Sequence, residues 1–588
     1  MSKILRILPL LGILTVLAAC SGGEESGADS IPAPPESPAA PPAAPPTDES
    51  GQDAASADQA GESAGETGGV EIRTRTEAVR RPEVEVVFAQ DAGEELVFPS
   101  YEERLERAAI YVYGPRVVDL VVLETLFEME RERRREAGER VGGDVSEEAL
   151  ESKIQETVDA FEAQNPNLDF WEYLAGLGQD PELFRRMAAL NLRMIDMFFP
   201  DDPDLWPMEQ LAVIFEKGEN GDARWKPVED LWKRKKQAKE ETGELQPLQL
   251  DMVFQFALRP GVFQWLQADA EVETPVDGLP EGVALRVNGK EFTTEELYAL
   301  VEPMVGPVEQ EFLTKWVDTV EAATRALYED GHWLSRKSFE EVLAAENTLY
   351  EGTIFPLEHV AVQMLGFPSM ELFRRHFWIR ESFRTTLPHP IPTETLEEHA
   401  SKRGWMFVQG KVDCDVILLP AVDPAALEFS TAPLVFRKDT DDPFGYAKQR
   451  ADEVAQMLAD GEDFDTLLLE YSGFPPKQPG AQGNMPQRDR GRFPAMMWGD
   501  LRSFLGESVF TDFLYGHSVG DRIFFEDVPH EIYGPDLGPL GYYFHRVTRR
   551  IAPTEEVDVT NNGTIAYQVE DDYVSQRFLD FLNGLRND

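Results

Sequence analysis

The chain has 588 residues, two cysteines and a net charge of −53, with 55 Lys and Arg against 108 Asp and Glu. So acidic a chain is poorly suited to nucleic acid or to anionic lipid surfaces. Its length allows it to fold on hydrophobic cores without disulfides, and the charge, which any solvated acidic surface would carry, names no ligand.

At the start of the chain, Lys3 and Arg6 precede an apolar run from Ile7 to Leu17, followed by Leu17-Ala18-Ala19-Cys20. The run is too short to span a bilayer as a helix and reads as an export signal. Leu-Ala-Ala-Cys resembles the bacterial lipoprotein box. That resemblance implies a signal peptide over 1–19, lipidation of Cys20, and a body anchored to a membrane of the cell envelope, facing the periplasm or exterior. An ordinary signal peptide ending in Ala-Ala-Cys is the plain alternative. No later segment is long and apolar enough to cross a membrane. Residues 20–84 are Ala, Pro, Gly, Ser, Glu and Asp with almost no large apolar residue. Such a stretch cannot bury enough surface to offset its ordering entropy, so it is expected to be a disordered tether. About 60 residues of flexible coil span on the order of 45 Å.

The body shows a repeat. Gly178-Gln179-Asp180-Pro181-Glu182-Leu183-Phe184-Arg185-Arg186 matches Gly366-Phe367-Pro368-Ser369-Met370-Glu371-Leu372-Phe373-Arg374-Arg375. Upstream, Val145-Ser146 and Leu334-Ser335 each open a helical pattern, and Val112-Tyr113-Gly114 parallels Val287-Asn288-Gly289. Chance likeness of two amphipathic regions is the alternative. Leu150, Ile154, Val158 and Phe161 recur at helical spacing, as do Val308, Phe312, Trp316 and Val320. Ser146 and Ser335 suit N-caps. The turn Val287-Asn288-Gly289, followed by Thr293-Thr294-Glu295-Glu296-Leu297, resembles the opening of the helical N-terminal domain of SurA-type periplasmic chaperones. The expected organisation is a SurA-like helical region over 85–200, a helical or mixed connector over 201–280, and a second such region over 281–392. Alternation from Leu248 to Leu258 leaves that part of the connector open. The prolines of Leu387-Pro388-His389-Pro390-Ile391-Pro392 then mark a boundary. A short helix with Thr395-Leu396-Glu397-Glu398 as capping box should follow.

From about 410 to 552 the chain carries Cys414-Asp415-Val416-Ile417-Leu418-Leu419, then Ala455 to Phe464, Glu470-Tyr471-Ser472 and Gly483-Asn484-Met485. Arg490-Gly491-Arg492-Phe493 follows, Gly516-His517-Ser518-Val519-Gly520 reads as a turn before a strand, and the stretch closes at Gly541-Tyr542-Tyr543-Phe544-His545-Arg546-Val547. In that order these segments resemble the parvulin (PpiC-type) peptidyl-prolyl isomerase domain. The fold expected for the whole is α+β: a mainly helical chaperone-like region followed by a small antiparallel sheet with helices on it. A terminal helix over 565–588, with Tyr573, Phe578, Phe581, Leu582 and Leu585 on its apolar face, would by resemblance pack back onto the N-terminal helical region.

Rotation about an X-Pro bond meets a barrier of roughly 18–20 kcal/mol. A dry pocket that grips the proline ring and places hydrogen-bond donors on the twisted amide lowers it without any covalent step. The resemblance implies Met485 and Phe493 as proline-gripping residues, joined by Met497 and Phe474. Ordinary core positions in the sheet are the alternative. The family's first-strand histidine falls on Val416, its last-strand histidine on Tyr543, and its usual cysteine or aspartate after Tyr-Ser on Phe474. Tyr543 keeps a hydroxyl donor, and His545, two residues on, points to the same sheet face. These two are the candidate catalytic groups, although for His545 a partly exposed strand histidine is the favoured reading over a displaced catalytic role. Cys414 reads as a buried small hydrophobe. No metal-ligand spacing, P-loop or nucleophile elbow occurs, so neither metal nor cofactor is expected. The implied function is an extracytoplasmic peptidyl-prolyl isomerase and chaperone acting on unfolded or partly folded exported proteins. A non-catalytic chaperone or scaffold lipoprotein of the same fold, and a structural lipoprotein with no client, remain as alternatives.

Overall fold

The computed structural model describes residues 82, 84–166, 168–176, 180–218, 224–245, 248, 254–350, 353, 355–421, 442–474, 490–553, 557, 559 and 563–587. Cys20, Met485 and the tether lie outside them. The chain is mainly helical with two small antiparallel sheets, an α+β arrangement. Among the described residues no helix is long and apolar enough to cross a membrane.

Helices α1 (Tyr101–Val112), α2 (Pro115–Ala137), α3 (Glu147–Gln164), α4 (Phe170–Gly176) and α5 (Pro181–Phe198) come first. They are followed by α6 (Met208–Ile214), α7 (Lys226–Thr242) and α8 (Arg259–Gln267). The ambiguous stretch before α8 resolves at Phe254–Leu258 into a wide π-type turn running into the helix. Strands β1 (Val272–Glu273), β2 (Val283–Val287) and β3 (Lys290–Thr293) form the first sheet in that order. Next come α9 (Thr294–Val301), α10 (Pro307–Glu329), α11 (Arg336–Thr348) and α12 (Met370–Arg384). Thr293 caps α9 through a reciprocal box with Glu296.

The repeat has local structural counterparts. Helices α2 and α10 are each 23 residues long and each starts Gly-Pro, at Gly114-Pro115 and Gly306-Pro307. Proline suits the first helical turn because its missing N–H would be unsatisfied there anyway. Ser146 and Ser335 cap α3 and α11, accepting from the amides of Ala149 and Ser338. Arg185 of α5 pairs with Glu151, and Arg374 of α12 with Glu340, both 34 positions apart. One expected correspondence fails. Val112-Tyr113-Gly114 is a helix–helix junction, whereas Val287-Asn288-Gly289 is a hairpin turn with Asn288 and Gly289 at φ 47° and 82°. A three-residue likeness ending in glycine marks any tight reversal, so it could not tell the two apart.

Helix α13 (Thr393–Arg403) leads into β4 (Lys411–Pro420). It starts two residues before the expected capping box; Pro392 occupies its N-cap without a side-chain bond, and Thr395 lies inside the helix. Then follow α14 (Pro443–Ala459), α15 (Phe464–Tyr471), β5 (Arg492–Met496), α16 (Trp498–Phe504) and α17 (Val509–Tyr515). Ser518 caps a further helical turn rather than leading directly into a strand. Strands β6 (Ile532–Gly538) and β7 (Gly541–Ile551) and the terminal helix α18 (Gly563–Asn587) complete the chain. The second sheet has the order β5-β4-β7-β6. One face packs on α14 and α15 through Ile417, Leu419 and Phe544, and the other builds a separate apolar core.

The largest core does not follow sequence order. It joins α1, one side of α2, the first sheet and α9–α12 to Phe510 and Phe513 of α17 and to Phe578 and Leu582 of α18. Helix α18 thus packs back onto the helical region, with Phe383 tilted against Phe578 at 5.5 Å and stacked on Phe581 at 5.2 Å. A second core lies between the other side of α2, α5 and α8.

Candidate functional site

Strands β4 and β7 lie side by side, and their register sets Val416 opposite His545 and Leu418 opposite Tyr543. Because side chains alternate along a strand, Val416, Leu418, Tyr543 and His545 share one face. The apolar core on that face is completed by Phe474, Phe493, Met496, Leu505 and Leu540. Cross-strand position therefore pairs Val416 with His545 and not with Tyr543.

Tyr543 is fully buried. Its hydroxyl donates to the Leu505 carbonyl at 2.7 Å and accepts from the Leu540 amide at 3.2 Å. Burial holds the phenol far above its usual pKa, so it stays protonated. Its ring lies against Gly538, where an added Cβ would approach Cε2 to 2.7 Å.

His545 is also fully buried, not half-exposed as expected for a strand histidine in a polar run. Its Nε2 is 2.7 Å from Asp536 Oδ2 on β6, and its Nδ1 is 2.7 Å from Asp527 Oδ2. Tyr533, its neighbour on β6, stacks on the ring at 5.8 Å. Arg522 holds the far oxygen of Asp536 at 2.6 Å. Burial alone would lower the imidazole pKa, but the two carboxylates outweigh it and raise it. Asp536 is lowered: burial pushes it up, and the His545 and Arg522 contacts more than compensate. The group is thus an imidazole held between two carboxylates that favour its charged form, an arrangement that the sequence hides because its members come from three separate segments.

The apolar residues divide. Phe474 and Phe493 pack edge-to-face at 5.2 Å inside the core, while Met497 is 42% exposed at the N-cap of α16. Met485 lies outside the described residues. Cys414 is buried beside them, and burial pushes its thiol pKa up, which keeps it protonated and unreactive.

The Tyr-Ser and Gly-Arg-Phe motifs have a local reason. Ser472 Oγ donates to the Val416 carbonyl at 3.3 Å, and the Gly473 amide donates to the Leu418 carbonyl at 2.7 Å. Gly491 receives the Val416 amide at 2.8 Å, and its φ is 94°. A Cβ there would lie 2.0 Å from the Val416 carbonyl oxygen. Only glycine allows that approach.

A second polar cluster, also invisible in the sequence, joins this unit to the rest. Arg403 of α13 donates to Asp521 and to Asp572 of α18, both at 2.8 Å. Asp521 also accepts from Trp498 Nε1 at 2.7 Å, and Asp572 contacts His399 at 2.7 Å. Beside it, Arg502 pairs with Asp512 at 2.5 Å, and Glu507 accepts from Ser518 and the Val519 and Gly520 amides. Among the described residues no group of His, Cys, Asp and Glu is placed to hold a metal ion.

Chemically, both candidate catalytic groups are engaged in bonds within the fold. Of the described apolar candidates, Met497 alone is exposed, while Phe474 and Phe493 are buried.

No family model and no curated protein matches the sequence. Among solved structures, a peptidylprolyl isomerase (PrsA) from Bacillus cereus aligns over 51% of this chain and 90% of its own, at 11% identity and a TM-score of 0.15. At that score the likeness carries no argument about activity or site.

Proposed function

We propose that the chain is an extracytoplasmic folding factor that holds unfolded or partly folded exported proteins, and that its parvulin-like unit serves binding and bracing without isomerase activity. The supporting observation is how the polar face is occupied: the Tyr543 hydroxyl is bonded to Leu505 and Leu540, His545 Nε2 is bonded to Asp536, and its buried Nδ1 lies 2.7 Å from Asp527 Oδ2 at ion-pair distance without a hydrogen bond. Stabilising a twisted amide requires donors free to reach it. Lipid on Cys20 would hold the body at a membrane of the cell envelope.

The test is a protease-coupled assay on an X-Pro peptide, run beside suppression of aggregation of an unfolded client. Turnover at the uncatalysed rate, together with suppressed aggregation, is the expected pair. It should persist in Val416→His/Tyr543→His, since those positions lie within the core. A second reading, an isomerase of modest activity acting through His545, is favoured by one observation: His545 is the cross-strand partner of Val416. Acceleration that disappears in His545→Gln would put that reading first. No suppression at stoichiometric excess would leave a structural lipoprotein without clients.

A further inference from the structure

The two helical copies differ in what fills their grooves. In the second copy, α10 and α12 present Phe312, Trp316, His376 and Phe383. Phe510 and Phe513 of α17 fill that groove, lying 5.8 Å from Phe312 and 5.0 Å from Trp316, with Phe578 of α18 5.6 Å from His376. Ion pairs fasten its rim, Arg380 to Asp571 and Arg384 to Glu570.

Carrying the matched Leu-Phe-Arg-Arg segments forward sets Met187 against His376, Asn191 against Arg380 and Met194 against Phe383. The Gly-Pro starts likewise set Leu120 against Phe312. In the first copy these residues are covered by the chain's own 254–267 segment: Phe254, Leu258, Val262 and Phe263 share their core, and Trp265 meets Phe198 at 6.1 Å.

That cover is badly satisfied. Arg259 is 1% exposed, and none of its three guanidinium nitrogens has a hydrogen-bond partner. Burial without a counter-ion lowers its pKa to about 10. On the groove side, the Asn191 carbonyl oxygen is also buried without a partner, where the second copy has the Arg380 ion pair. An uncompensated buried charge favours any state that returns it to water.

We propose that the α2–α5 groove is a binding site for aromatic-rich amphipathic helical segments of unfolded chains, with residues 254–267 as its displaceable cover. The inference rests on the client-holding reading and assigns it a place. The occupant's chemistry follows from the sister groove, which is filled by aromatic residues from two amphipathic helices. Met187, Met194 and Met197 supply adaptable surface, and with Asn191 and Ile195 at the rim no carboxylate is required.

The test uses the full chain and a labelled synthetic peptide of the α18 sequence, residues 563–587, since the sister groove is already filled. A photoreactive phenylalanine analogue at position 578 of the peptide should cross-link to α2 or α5. Arg259→Met gives the cover an apolar side chain of similar length. It should weaken peptide binding by roughly fivefold or more, because the open state becomes rarer, and should slow amide exchange across 254–267. Cross-links to α10 or α12, or unchanged affinity and exchange in Arg259→Met, overturn the proposal. Aggregation suppression without peptide binding at α2–α5 overturns it and leaves client holding intact. Failure of both removes both.

Discussion

Replacing Tyr543 by Phe separates a catalytic from a structural hydroxyl. The change keeps the ring against Gly538 and removes only the oxygen. The Leu505 carbonyl then loses a 2.7 Å donor and the Leu540 amide a 3.2 Å acceptor. Both leucines are buried, at 0% and 1% exposure, so water cannot substitute while the sheet stays closed. An unsatisfied buried group costs about 1–3 kcal/mol. The longer of the two bonds contributes least, so about 2–3 kcal/mol in total is the reasonable sum. That corresponds to a roughly 30- to 140-fold rise in the opening equilibrium. Native-state hydrogen exchange of the amides paired between β4 and β7 reads this directly, and it avoids treating a chain of several cores as two-state. Client binding should stay at the wild-type level where the sheet is closed. Unchanged β7 protection combined with lost isomerisation or peptide binding would refute the reasoning, because the hydroxyl would then face a ligand and not the core.

Two further outcomes follow from the charged clusters. His545 has a raised pKa in the folded chain, so its contribution is fully present below the unfolded value near 6.5 and is lost as pH rises through the folded value. Protection of β7 should therefore fall with alkalinisation across that window, and His545→Gln should flatten the dependence; an equal slope in both proteins contradicts the clamp. Arg403→Ala leaves the buried Asp521 and the half-buried Asp572 with Trp498, Gln576 and His399 as hydrogen-bonding side chains among the described residues. Removing one member of a buried pair costs about 3–5 kcal/mol, and the remaining donors place this case at the low end. Faster exchange and proteolysis of α18 is the expected result, and unaltered protection there would show that the joint is held by its apolar contacts alone.

What the sequence revealed and what it concealed divide by range. Caps, helix periods and strands are local, so Ser146, Ser335 and the run from Val416 to Leu419 could be placed by inspection. The repeat was legible in Leu-Phe-Arg-Arg, and one Arg–Glu pair in each copy falls at the matching positions. The site was legible only as a face. Whether Tyr543 reaches a ligand depends on Leu505, 38 positions away, and the state of His545 depends on Asp527 and Asp536 from two other segments. The histidine expected to be partly exposed is instead buried, with Tyr533 of the neighbouring β6 stacked on its ring and Asp527 against its Nδ1. Asp527 sits in Phe-Phe-Glu-Asp, and an acidic pair after an apolar run is the only hint it gave.

An inert polar face need not make the sheet unit dispensable. Phe510, Phe513 and Leu514 of α17 lie in the same core as Phe312, Trp316 and Phe367 of the helical region. At about 1.5–3 kcal/mol for each large apolar side chain buried, these three contribute on the order of 5–9 kcal/mol. That compares with the whole stability of a typical domain. The Arg403–Asp521–Asp572 cluster then fixes the linker helix and the terminal helix against the same unit. A chain cut before β4 would lose both α17 and α18 and so expose the aromatic groove of the second copy. The sheet is retained by packing as well as by any ligand it meets, so substitutions that fill its polar face can accumulate without loosening the body.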